Sequence, residues 1–372
     1  MGISPPMDSL PPSRPLPLLP GEALPWFRAS AIGGSDNYVF DTVAGRYVLM
    51  LFFGRASDPG AAAALACVER HRPLFDDVRA CFFGITSDPE DSSAGRVGQR
   101  LPGIRFFLDP AGGLARLFGA DSAEGAERRH WLLVDPMLRA VAAFPLAEGE
   151  AAVAALGKAM RHMPLPDWAP VLMVPNILEP ALCARLVEHH RETGGEPSGF
   201  MREIGGKTTL VTDPHHKMRR DREITDEALC AVLRDRVRSR LVAMVKRAFQ
   251  FEPTRMERYI IGSYSAGAGH FRPHRDNTTR GTAHRRFAVT INLNAGDYEG
   301  GDLRFPEFGG RTYRAPTGGA VVFSCSLLHE ATPVTRGTRY AFLPFLYDDA
   351  AARQRESNNA HLDEGIGAYK AG

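Results

Sequence analysis

The sequence predicts two domains, an α/β domain followed by a β-rich sandwich or barrel. A chain of 372 residues of which 44% are hydrophobic is long enough to bury a core in each half. Short apolar runs alternate with helical stretches over residues 21–162, whereas from Met256 onward short β segments are separated by turn residues. Residues 163–170 lie between the two patterns, contain three prolines and are predicted to be a linker.

Composition and cysteine usage argue against several classes of protein. The formal net charge is +2, so no nucleic-acid partner is expected. Five scattered cysteines without a CxxC motif indicate reduced thiols and not a disulfide framework. Residues 1–20 are predicted to be a proline-rich tail without the apolar core of a signal peptide, and no run is long enough to span a bilayer. A cytoplasmic location without membrane contact is therefore expected, while the sequence gives no oligomeric state.

In the first domain, residues 21–162, the elements follow from apolar runs. The segment YVLMLFF at Tyr47–Phe53 is typical of a strand that is buried on both faces. Further strands are predicted at Ala80–Ile85, Ile104–Leu108, Trp131–Val134 and Ala140–Phe144, and helices at Ala61–Phe75 and Glu148–Arg161. This order of elements indicates a compact α/β domain.

In the second domain, residues 171–350, one short strand and two helices precede the other β segments. The helices are predicted at Pro180–Arg191 and Ile224–Phe249. Strands are predicted at Val171–Val174, Arg258–Tyr264, Phe287–Leu293, Leu303–Phe305, Ala320–Phe323 and Arg339–Leu346. Residues 351–372 are interpreted as a C-terminal tail.

A candidate metal site lies in the second domain. His274 and Asp276 are two residues apart, so on a strand their side chains point to the same face. With His329 from another strand they would give two imidazoles and one carboxylate, the facial arrangement that non-haem Fe(II) oxygenases use. For the pair alone, a solvated histidine and a turn-forming aspartate are the favoured interpretation, and the metal-site hypothesis therefore depends on the sequence that follows.

Arg339 lies ten residues beyond His329 and begins the apolar segment RYAFLPFLY. A charge inside such a strand is costly unless it is paired. The planar guanidinium suits a carboxylate, and the two interpretations are a bound ligand or a structural ion pair.

The second domain resembles the prolyl 4-hydroxylase-like branch of the Fe(II)/2-oxoglutarate dioxygenases. The motifs are YSAGAGHFRPHRDN (264–277), RFAVTINLNAGDYEGGDLRFPEFG (286–309), and PTGGAVVFS with HEATPVTRGTRYAFLPFLY (within 316–347). The resemblance implies a double-stranded β-helix, or jelly roll, with flanking helices. It assigns Fe(II) to His274, Asp276 and His329, and the 5-carboxylate of 2-oxoglutarate to Arg339. It also implies that Tyr264 and Asn292 lie near the co-substrate, although Tyr264 fits a packed strand aromatic equally well.

The implied activity is hydroxylation of a C–H bond with O2 and 2-oxoglutarate, which is converted to succinate and CO2. L-Ascorbate commonly supports such enzymes. The substrate remains open between a protein prolyl residue, a free amino acid and a small molecule.

The first domain resembles peroxiredoxins, which have a thioredoxin-like fold. The segments that carry the resemblance are FFGRASDPGA (52–61), FFGITSDPED (82–91) and FFLDPAGGLARLFGA (106–120). Ala61 stands where the family has its peroxidatic cysteine, which implies a degenerate domain retained for binding or scaffolding. The alternative function is a thiol peroxidase or redox sensor acting through Cys67 or Cys81.

Two further polar segments are interpreted as solvated. His215-His216 is attributed to a solvated loop in preference to a metal site. The basic run of Arg219, Arg220 and Arg222 is attributed to a solvated face in preference to a clamp for an acidic or peptide substrate.

Overall fold

The computed structural model describes residues 16–121, 128–163 and 167–371. These residues divide into two compact units. The N-terminal unit contains the described residues before 164 together with Pro306–Gly309, and the C-terminal unit contains the others. Residues 1–15 of the predicted tail and 164–166 of the predicted linker lie outside the described residues.

The N-terminal unit is built around a mixed sheet. In chain order its elements are β1 (Arg28–Ala31), β2 (Tyr38–Val39), β3 (Tyr47–Gly54), α1 (Pro59–Arg70), β4 (Ala80–Thr86), α2 (Glu90–Ser93), β5 (Ile104–Leu108), α3 (Gly113–Leu117), β6 (His130–Val134), β7 (Ala140–Pro145) and α4 (Gly149–His162). The sheet order is β2-β1-β5-β4-β3-β6-β7. Strands β3, β4 and β5 are parallel, and β6 and β7 join them antiparallel.

The core of this unit explains why β3 is apolar throughout. Leu49, Leu51 and Phe53 pack in one cluster with Val68 of α1 and Leu156 of α4. The residues between them are also buried, because a central strand has both faces covered. The predicted α/β, thioredoxin-like class is confirmed, and helix α1 begins two residues earlier than predicted because Pro59 suits the first helical position.

The C-terminal unit contains two large antiparallel sheets, two separate two-stranded ones and flanking helices. Its first elements are β8 (Leu172–Val174), α5 (Pro180–Thr193), β9 (Glu196–Pro197), β10 (Phe200–Ile204), β11 (Lys207–Val211), β12 (Lys217–Met218), β13 (Arg220–Glu223), α6 (Glu227–Val237), α7 (Ala243–Phe249), β14 (Arg255–Glu257), β15 (Ile260–Ser265) and β16 (His270–His274). The remaining ones are β17 (Phe287–Asn292), β18 (Glu299–Gly300), β19 (Leu303–Arg304), β20 (Thr312–Tyr313), β21 (Ala320–Ser324), β22 (His329–Ala331), β23 (Val334–Arg336), β24 (Thr338–Phe342), β25 (Phe345–Tyr347) and α8 (Asp349–Ser357).

The larger sheet follows the order β14-β25-β17-β24-β15-β13-β9, and β21 pairs with both β17 and β8. The smaller sheet has the order β12-β16-β22-β19-β20. Strand β17 shows how the larger sheet is used on both faces. Val289 and Ile291 pack on the helices, while Ala288 and Thr290 line a pocket between the sheets. The predicted double-stranded β-helix with flanking helices is thereby confirmed.

Three features of this unit differ from the sequence prediction. The helix predicted from Ile224 begins at Glu227, because Asp226 caps it by accepting hydrogen bonds from two backbone N–H groups. Its continuation to Phe249 contains a π-helical turn at Arg238–Val242. The hairpin β10-β11 was not predicted, since its sequence lacks the apolar alternation of a half-buried strand.

The expected C-terminal tail contains a helix instead. Ala351 and Ala352 of α8 are buried against Tyr347, and Asp348 caps the helix by accepting a hydrogen bond from the Ala351 N–H. Among the described residues, no helix combines the length and the hydropathy needed to cross a bilayer.

Candidate functional site

The three predicted metal ligands lie together between the sheets. Strand β16 ends at His274 and is paired with β22, which begins at His329, and these two histidines are direct partners in the register. Asp276 lies in the turn that follows β16, where its N–H donates to the Cys325 carbonyl at 3.0 Å. Its carboxylate oxygens are 3.6 Å from His274 Nε2 and 3.3 Å from His329 Nε2.

The tautomers of the two imidazoles are set by the backbone. His274 Nδ1 donates to the Arg272 carbonyl at 2.8 Å, and His329 Nδ1 donates to the Leu327 carbonyl at 3.0 Å. Because the proton of a neutral imidazole then resides on Nδ1, both Nε2 atoms present lone pairs toward Asp276. Two imidazole nitrogens and a carboxylate oxygen in one cluster are a donor set that suits a divalent transition metal.

The protonation states agree with this donor set. Burial, assisted by repulsion from His329, lowers the pKa of His274 to about 4. Burial alone would raise the pKa of Asp276, but the two imidazoles outweigh it and hold that pKa below its usual value. His274 is therefore neutral and Asp276 ionised at neutral pH.

Aromatic side chains fix the orientation of the imidazoles. Phe271 stacks on His274 with ring centroids 3.4 Å apart, and Phe323 lies against His329 at 4.5 Å. The two apolar rings limit rotation of the ligands and keep water from one side of the cluster.

One open pocket is lined both by the cluster and by Arg339. Its polar lining residues are Arg219, Arg258, Tyr264, His274, Asp276, Thr290, His329 and Arg339. Leu303, Phe323 and Ala331 contribute apolar walls from the smaller sheet and β21. The pocket thus combines three arginines with the three candidate metal ligands.

Arg339 is buried with unused hydrogen-bonding capacity. It is 2% exposed, and among the described residues its Nε and Nη1 atoms have no hydrogen-bond partner. Tyr264, its neighbour across β15 and β24, places its ring 5.1 Å from the guanidinium carbon. Unpaired buried donors are costly, and a carboxylate entering the pocket would satisfy two of them.

Arg219 is a pocket residue that the sequence interpretation missed. The expectation of a solvated face is wrong for it, because its guanidinium is buried and binds Asp221 through Nε at 2.6 Å and Nη2 at 2.7 Å. Its Nη1 donates to the Tyr264 hydroxyl at 3.3 Å. The sequence does contain a pattern that indicates this burial, since charged residues recur at every second position. Lys217, Arg219 and Asp221 point inward, while Arg220 is exposed.

The other polar residues considered from the sequence, Asn292, His215 and His216, lie outside the metal cluster. Asn292 is not among the residues that line the pocket, and its Nδ2 donates to the Ala315 carbonyl at 2.7 Å. His215 is exposed as expected, but His216 is half-buried, with its ring 4.5 Å from that of Phe200 and 6.5 Å from that of His274.

Replacement of Asp221 by asparagine is expected to lower the free energy of unfolding by about 3–5 kcal/mol, because it leaves the buried Arg219 without its counter-ion. Chemical denaturation of wild type and variant measures the difference. Asp235→Asn is the matched control, since that carboxylate pairs with arginines at the surface and its loss should cost less than about 1 kcal/mol. Equal effects of the two substitutions would contradict the role given to Asp221.

Sequence comparison identifies the domain that contains this site. Residues 257–347 match the sequence model of the 2OG-Fe(II) oxygenase superfamily. A PKHD-type hydroxylase of Pseudomonas fluorescens is 35% identical over 119 residues, which cover 30% of this chain and 51% of the relative. The chain therefore spans about half the length of this curated relative.

Solved structures match each unit separately. A prolyl-4-hydroxylase from Pseudomonas putida aligns with 52% of this chain and 98% of its own, at 20% identity and a TM-score of 0.35. A peroxidoxin from Mycobacterium tuberculosis aligns with 38% of this chain and 97% of its own, at 19% identity and a TM-score of 0.33. On the evidence of the sequence match, residues 257–347 form a 2OG-Fe(II) oxygenase domain.

Proposed function

We propose that the C-terminal unit is a hydroxylase that uses Fe(II), 2-oxoglutarate and O2. The observation that supports this most is the combination, in one pocket, of two imidazole nitrogens, a carboxylate and a buried arginine whose Nε and Nη1 atoms have no partner among the described residues. The oxygenase match and the name of the hydroxylase relative agree with the proposal.

His274, Asp276 and His329 would hold the iron. Their three donor atoms lie within 4.8 Å of one another. Two imidazoles and one carboxylate would leave further coordination positions of the iron for other ligands. When bound, the iron and 2-oxoglutarate supply the activation of O2 and the oxidising power, and succinate and CO2 are the co-products. The protein orients the imidazoles through the Arg272 and Leu327 carbonyls.

Arg339 would bind the distal carboxylate of 2-oxoglutarate through its guanidinium, whose Nε and Nη1 atoms have no hydrogen-bond partner among the described residues. Tyr264 would fix that carboxylate through its hydroxyl, and Arg219 holds this hydroxyl in place. We infer that Arg219 is a positioning residue for Tyr264. Asn292 would lie near the co-substrate without lining the pocket.

The primary substrate belongs to one of three classes: a protein prolyl residue, a free amino acid or a small molecule. Each offers an unactivated C–H bond, and each reaches the iron through the same open pocket. A screen of peptides and metabolites for succinate formation above the background of the enzyme alone distinguishes the classes.

A binding or scaffolding role is proposed for the N-terminal unit. A peroxidatic cysteine needs a lowered pKa, whereas burial raises the pKa of Cys67 to about 11 and that of Cys81 to about 12. Ala61, in the first turn of α1, has no thiol to offer. A thiol peroxidase remains the alternative function, and peroxide consumption that disappears in Cys67→Ser would support it.

The proposed function is tested by succinate release from 2-oxoglutarate in the presence of Fe(II), ascorbate and O2. Wild type is expected to turn over slowly without a primary substrate, and His274→Ala is expected to be inactive, since it removes one metal ligand. His270→Ala is the matched control on the same strand, because this side chain does not line the pocket. A wild-type protein that neither releases succinate nor binds 2-oxoglutarate would disprove the proposal.

A further inference from the structure

A second cluster of metal-ligand side chains lies in the N-terminal unit. Cys67 and His71 are four residues apart at the end of α1, so they lie on one face of the helix. Glu150 lies in the first turn of α4 and meets both of them. Its Oε1 is 3.5 Å from Cys67 Sγ, and its Oε2 is 2.8 Å from His71 Nε2.

The spacing of the three donors matches that of ligands around one zinc ion. Zinc lies about 2.0–2.3 Å from sulfur, nitrogen and oxygen ligands in a tetrahedral site, so the ligands are roughly 3–4 Å apart. The three donor atoms of the cluster all lie within 4.8 Å of one another. Small rotations of two solvent-facing side chains would therefore complete three positions of a tetrahedron.

The surroundings suit a borderline-soft cation that is reached from solvent. Cys67 is buried and supplies sulfur from the core side, while the side chains of His71 and Glu150 are 35% and 61% exposed. Water can therefore reach the fourth coordination position. Thiolate, imidazole and carboxylate are the ligand types that zinc takes in proteins, whereas Mg²⁺ and Ca²⁺ prefer oxygen alone.

Arg70 is the competing cation, with its Nη2 2.7 Å from Glu150 Oε1. Both partners are more than half exposed, and ion pairs of this kind contribute little. The long arginine side chain can swing into solvent when a divalent ion takes the carboxylate.

We propose that Cys67, His71 and Glu150 form a binding site for Zn²⁺ with one position open to water. Binding replaces the thiol proton and involves no redox change. The site is independent of the proposed hydroxylase centre, which contains no sulfur ligand.

Cobalt(II) is the spectroscopic probe for this site. Titration of the full metal-free chain with Co²⁺ is expected to produce a near-ultraviolet thiolate-to-cobalt charge-transfer band that Cys67→Ser abolishes. Co²⁺ bound by His274, Asp276 and His329 gives no such band, so the outcome does not depend on the proposed function. Cys81→Ser is the matched control, because this buried thiol lies outside the cluster, and its band should persist.

Zinc stoichiometry gives the second measurement, made by equilibrium dialysis in a His274→Ala background. One Zn²⁺ per chain is expected. His71→Ala and Glu150→Gln, at a half-buried and an exposed position, should each weaken binding by more than the roughly 10–100-fold that loss of an outer partner costs. Absence of the cobalt band, a band that survives Cys67→Ser, or unchanged zinc affinity in both ligand variants would overturn the proposal.

Discussion

Replacement of His329 by alanine is expected to reduce 2-oxoglutarate turnover by roughly 10³-fold or more, because a bound metal supplies several kcal/mol of transition-state stabilisation. His329 supplies one of three donors, and its Nδ1 is already committed to the Leu327 carbonyl. Its Nε2 has no equivalent in alanine, and among the described residues the cluster then retains only His274 and Asp276. Succinate formation, measured across a range of Fe(II) concentrations, gives the loss.

Stabilisation of the protein by a bound metal distinguishes a metal-ligand role of His329 from a packing role. A ligand that binds only the folded state stabilises it by about 2.7 kcal/mol at a hundred times its Kd. Mn²⁺ should therefore raise the melting temperature of wild type and of His215→Ala, whose side chain is exposed, but not that of His329→Ala. A His329→Ala protein that is still stabilised by Mn²⁺ would contradict the assignment.

The parts of the fold that could be predicted are those with strong local patterns. Strand β3 is apolar at every position because both of its faces are covered, and Val289 and Ile291 of β17 form one apolar face that packs on the helices. Hairpin β10-β11 has little burial of its own, so its sequence shows neither alternation nor an apolar run. Helix α8 was missed because only Ala351 and Ala352 are fully buried, which leaves its pattern weak.

Some residues of the site could likewise be predicted from local spacing, whereas others depend on contacts that are distant in sequence. His274 and Asp276 could be recognised from their spacing of two residues, although Asp276 lies in the turn just beyond the end of β16. The burial of Arg219 could not be recognised from a run of like charges. Neighbouring residues of an extended segment point to opposite faces, so Arg219 is buried while Arg220 is exposed. The burial of Arg219 depends on Asp221 and on Tyr264 of β15, a partner 45 residues away.

Arg339→Ala is expected to raise the KM for 2-oxoglutarate by roughly 10²–10⁴-fold, since hydrogen bonds to a charged group contribute about 1.5–3 kcal/mol each and two would be lost. The affinity for Fe(II) should change little, because Arg339 is not among the three donors of the metal cluster. Arg336→Ala is the control on the adjacent strand, where the arginine pairs with Glu299 at the surface. An unchanged KM in Arg339→Ala would remove Arg339 from the co-substrate site.

The stability of an Arg339 variant distinguishes a ligand-binding arginine from a structural one. A structural ion pair would make Arg339→Met strongly destabilising, by the roughly 3–5 kcal/mol that breaking a buried pair costs. Arg339 instead has two buried donors without partners among the described residues, so a methionine of similar length removes an unmet desolvation cost. The free energy of unfolding without 2-oxoglutarate is therefore expected to stay equal or to rise in Arg339→Met, while stabilisation by added 2-oxoglutarate disappears. Such a result means that Arg339 serves to bind its ligand and lowers the stability of the protein when no ligand is bound.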